Sequence, residues 1–116
     1  DVIHTGDMFR TVAFPVIDRN NGGTLPGTIE ALGLLAGMSG PETRIVPGHG
    51  VVSTRADVTE FRDMVLTVAG RVGDLVSQGR SYEEVAAADP TREFRDKWGD
   101  PTRFLTAVYE ELSDSP

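Results

Sequence analysis

Two short stretches of this 116-residue sequence combine a metal-competent side chain with glycines that shape the backbone around it. The first is His4-Thr5-Gly6-Asp7-Met8-Phe9. Val2 and Ile3 read as a strand and Gly6-Asp7 as the turn that breaks it, so Asp7 is expected just past a strand end. Ligands of α/β chains gather outside the carboxyl ends of strands, which makes a carboxylate there a candidate cation ligand. An Asx turn or a helix cap uses the same residue in the same place, and the local sequence leaves both open. The second stretch, Pro47-Gly48-His49-Gly50, follows the apolar pair Ile45-Val46. Two glycines around an imidazole let the chain turn sharply and leave room beside the ring. His49 is therefore either a ligand or a ring bonded to a neighbouring carbonyl.

The other candidates are weaker. His4 precedes the first turn by two residues and is expected on the strand, lining the site or supporting a ligand from behind. Gly6 and Gly48 belong to the same lining. Asp18 stands beside the loop Asn20-Asn21-Gly22-Gly23 and reads as a loop cap. Gly22-Gly23-Thr24 opens a helix, where exposed N–H groups could receive an anion. The spaced glycines and lysine of a phosphate loop are missing, however, and a net charge of −7 disfavours anions. Acyl-transfer chemistry has no support, because no Gly-x-Ser-x-Gly elbow occurs and Ser39 and Ser53 fall at a helix exit and a helix cap.

Composition narrows the classes further. Eleven Lys+Arg against eighteen Asp+Glu argue against a nucleic-acid partner, which needs a basic face to displace counterions. No run of about 18 apolar residues exists, so no membrane span is expected. No secretory signal is visible, and a cytoplasmic location is the expectation. Without cysteine, any metal must be held by His, Asp, Glu or backbone oxygen.

Residues 1–116 read as one domain with two unlike parts. Residues 1–50 hold nine of the thirteen glycines and both histidines, and suit strands, tight turns and a site. Residues 51–116 are rich in charge and poor in glycine, and suit helices with a solvated face. Within the first part, strands are expected at Val2-Ile3 and over 8–17, broken near Pro15. Thr24 caps a helix with Leu25, Ile29, Leu32 and Leu35 on one face, stopped by Gly37, Gly40 and Pro41. Residues 43–46 form a short strand, and 47–50 turn sharply at its end. In the second part, Ser53 or Thr54 caps a long helix with Val58, Phe61, Val65, Val68, Val72, Leu75 and Val76 inward, ended by Gly79. Ser81 and Glu84 have capping-box spacing, and the helix that they open ends before Pro90. Asp100 and Pro101 open a last helix with Phe104, Leu105, Val108 and Leu112 inward. Trp98 and Tyr109 are expected to anchor the core. The predicted order is β-β-α-β-α-α-α, an α/β chain that finishes in helices.

Taken together, HTGDMF at 4–9, FPVIDRNNGGTLPGTIEAL at 14–32 and RIVPGHG at 44–50 resemble the second half of a metallo-β-lactamase-fold hydrolase, of the broad cyclase-like kind. The segment from SYEEVAAADP to FLTAVYEEL looks similar too. The resemblance implies half of an αββα sandwich, with Asp7 bridging two zinc ions and His49 holding one of them. It also implies a reaction in which the two zinc ions activate water against a carbonyl, ester or related group of a small molecule. The family's first zinc cluster, His-x-His-x-Asp-His, cannot lie in a chain with two histidines. The resemblance thus implies a carboxyl-terminal half, inactive alone and completed by a missing amino-terminal half. An open strand edge and a bare sheet face would equally invite a second copy of the chain. The rival expectation is a non-catalytic structural or interaction module in which Asp7 and His49 are only turn residues.

Overall fold

The computed structural model describes residues 2–10, 14, 15, 17, 24–40, 43–49 and 53–114; for 2, 4–10, 46–49 and 114 it describes the backbone alone. Seven elements follow in order: strand β1 (Val2–Arg10), helix α1 (Leu25–Met38), strand β2 (Arg44–His49), and helices α2 (Arg55–Ser77), α3 (Tyr82–Ala87), α4 (Arg95–Trp98) and α5 (Thr102–Asp114). The expected sandwich half is not what forms. Helices dominate the described chain, and its sheet has two strands, β1 and β2, paired in parallel. The observed order is β-α-β-α-α-α-α. No second strand precedes α1 among the described residues, because β1 runs unbroken through Gly6-Asp7 and the described residues Phe14, Pro15 and Ile17 are not strand. Pro15 offers a reason, since it has no N–H to give a ladder. Phe14 and Ile17 are buried all the same, so these two positions contribute side chains to the core rather than rungs to a sheet.

The helices form where their caps and stripes require. Thr24 Oγ1 accepts the Gly27 N–H at 3.0 Å and opens α1. Ser39 ends it, donating its hydroxyl to Leu35 O at 2.7 Å, so Gly37 falls inside the helix. The Asp57 carboxylate accepts the Thr54 N–H at 2.9 Å at the start of α2. Past its end Gly79 takes φ +78, a left-handed conformation in which a side chain would be strained. Asp100 accepts from the N–H and hydroxyl of Thr102 at 2.9 and 2.7 Å, bonds that hold its carboxyl below the ordinary carboxylate range. The short α4 has no counterpart in the sequence reading.

At α3, Ser81 and Glu84 satisfy each other reciprocally: the Glu84 N–H donates to Ser81 Oγ and the Ser81 N–H to the Glu84 carboxylate. Losing an N-cap hydroxyl costs about 1 kcal/mol. Ser81→Ala is therefore expected to lower the melting temperature by roughly 4 °C, within the usual range for a domain of this size. Thermal unfolding followed by circular dichroism checks it, and an unchanged midpoint would mean that α3 does not depend on its box.

One core joins the elements. Val58, Phe61, Val65, Val68 and Val72 of α2 are fully buried, as the stripe predicts, and Met64 joins them. Leu75 and Val76, in the last turn, are only half-buried. Leu32 and Leu35 meet α2 from one side, Phe104, Leu105 and Val108 of α5 from another. Arg62 fastens the α1 contact, giving its Nε–H to Ile29 O at 3.3 Å while its guanidinium lies against Gly33. Trp98 is buried among Phe14, Phe61 and Phe94, at ring-centroid distances of 6.3, 6.0 and 6.0 Å, and Phe14 stacks on Phe104 at 5.5 Å. Tyr109 sits nearer the rim, edge-on to Tyr82.

Candidate functional site

Parallel pairing brings the two candidate stretches side by side. Ile3 stands opposite Ile45, His4 opposite Val46, Gly6 opposite Pro47 and Arg10 opposite His49. Neighbouring strands lie about 4.8 Å apart, so Asp7 and His49 share the carboxyl-terminal half of one strand pair. The register shifts twice, between His4 and Gly6 and again between Gly6 and Arg10. In the second interval Asp7, Met8 and Phe9 of β1 face Gly48 alone. Surplus residues on one strand bow it and re-aim what it carries, a device common beside active sites.

These placements differ from the expected turns. Asp7 lies within β1 rather than past its end, and Pro47-Gly48-His49 continues β2 instead of turning. Pro47 is compatible with that position because, among the described residues, β2 has no second long partner: beyond β1 it meets Ser53, through an isolated antiparallel bridge at Ile45. The two backbone bonds of that bridge measure 2.8 Å each. The side chains of His4, Asp7 and His49 lie outside the described residues, as do Asp18 and Gly22-Gly23. Among the described residues no group of three or more His, Asp or Glu could hold a metal ion.

The anion-binding alternative meets a geometric obstacle. The first N–H of α1, on Leu25, is donated to the Glu111 carboxylate at 2.5 Å, across 86 residues of sequence. Pro26 has no N–H, the Gly27 N–H goes to Thr24 Oγ1, and that of Thr28 to Thr24 O at 2.9 Å. A carboxylate of the chain's own already occupies the positive end of this helix. Sequence reasoning missed Glu111, since nothing local pairs a residue of the last helix with the start of the first.

Charge elsewhere is arranged for support. Arg71 grips the turn after α3: its guanidinium meets both Glu93 carboxylate oxygens at 2.5 and 2.7 Å, donates to Pro90 O at 2.9 Å, and lies 5.8 Å from the Phe94 ring centroid. Asp74, three residues along α2 from Arg71, is a partner that helical spacing would allow. The structure instead pairs Arg71 with Glu93 and Glu60 with Lys97, tying α2 to the segment that carries Trp98.

The Arg71 guanidinium, first by hydrogen bonding, pulls the Glu93 carboxyl from 4.5 to about 2. A carboxyl with a depressed folded pKa stabilises fully above its unfolded value and loses that contribution as pH falls through the folded one. Here the window runs from about 4.5 down to about 2. Glu93→Gln should therefore unfold at lower urea than the parent at pH 6, with the gap narrowing as the pH approaches 2. A gap of constant size across that range would show that charge is not what Glu93 contributes.

No family model and no curated protein matches this chain. No helix among the described residues is long and apolar enough to cross a membrane.

Proposed function

We propose that this chain carries part of the metal site of a zinc-dependent hydrolase, with Asp7 and His49 as ligands and His4, Gly6 and Gly48 around them. The observation that carries the reading is the β1–β2 register, which supports a common site by setting the Asp7 segment against Gly48 and ending on the Arg10–His49 pair. A carboxylate and an imidazole are hard and borderline donors that suit zinc. They fit the ion incompletely, because zinc takes four ligands and two donors leave half the shell open. The remaining donors would come from another polypeptide segment: an amino-terminal half bearing a His-x-His-x-Asp-His cluster, or a second copy of the chain.

Zinc, when bound, supplies Lewis acidity toward a carbonyl, ester or related oxygen and makes water acidic enough to attack near neutral pH. In this reading Asp7 would give the metal site a negatively charged carboxylate and His49 a ring nitrogen. The surplus residues of β1 opposite Gly48 support this reading, since such a bulge re-aims what a strand carries. Small-molecule substrates fit a site of this kind, and a cytoplasmic setting belongs to the same proposal.

Calorimetric zinc titration tests it. The chain alone should bind zinc weakly, and a polypeptide supplying the His-x-His-x-Asp-His cluster should tighten binding and bring activity. Failure to take up zinc in both settings would favour the rival reading, a non-catalytic module in which Asp7 and His49 serve only the local backbone.

A further inference from the structure

We draw no further inference here: the strongest candidate, the groove of about 660 Å³ along the amino-terminal half of α2 as far as Phe94, carries nothing, because its carboxylates Glu60 and Asp63 are offset by Arg55 in the groove and by Lys97 on Glu60, and nothing in the structure shows what covers it.

Discussion

Phe61→Ala is expected to remove about 3–5 kcal/mol of stability, the usual loss when a buried aromatic side chain leaves a cavity. Phe61 is fully buried on α2 and meets the Trp98 ring edge-on at a centroid distance of 6.0 Å. Its loss therefore opens the junction where α2, the Trp98 segment and Phe14 converge. Domains of this size hold roughly 5–15 kcal/mol in all, so the variant would keep little margin. Urea unfolding followed by Trp98 fluorescence reads the effect at its source, since this is the sole tryptophan of the sequence. Phe61→Leu, which keeps more of the volume, should cost much less, about 1.5 kcal/mol. Leu66→Ala, at a position 39% exposed on the same helix, is the control and should cost about 1 kcal/mol or less. Equal losses at 61 and 66 would contradict the core described above.

Zinc binding should fall at least tenfold in His49→Ala and in Asp7→Asn. Even groups that only orient a metal ligand cost ten- to a hundredfold in affinity when removed, so a direct ligand should cost no less. Asp7→Asn keeps size and shape while removing the negative charge, which isolates what the carboxylate supplies. Neither change touches the helical core, and melting temperatures without zinc should stay close to the parent's. Thr54→Ala, at the far end of the β2–α2 connection, should leave zinc affinity unchanged. A variant with lowered affinity and an equally lowered melting temperature would point to damage of the strand pair instead.

Helices were the most legible part of this sequence because their signals are local. The α2 stripe repeats at helical spacing over 23 residues, and Ser81 with Glu84 or Asp100 with Thr102 act within a single turn. The strands were read less well. Gly6 and Gly48 look like turn formers, yet pairing between β1 and β2 holds both in extended chain, a tertiary effect that no window of sequence contains. Residues 8–17, rich in β-branched and aromatic types, suggested a second strand; residues 8–10 instead finish β1, and Phe14 stacks on Phe104, ninety positions away. Burial satisfies Phe14 and Ile17 as a ladder position would, and composition cannot distinguish the two. The Leu25–Glu111 and Arg71–Glu93 contacts were invisible for the same reason. Candidate ligands were legible by type and by neighbouring glycine, whereas their sharing of one strand pair emerged from the fold alone.

A double-mutant cycle on zinc affinity, combining Asp7→Asn with His49→Ala, bears most directly on whether one ion is held by both residues. If both grip the same cation, removing the second after the first should cost far less than its single loss, leaving a coupling energy well above the roughly 0.5 kcal/mol scatter of independent sites. Two losses that simply add would mean that the carboxylate and the imidazole do not serve a common metal.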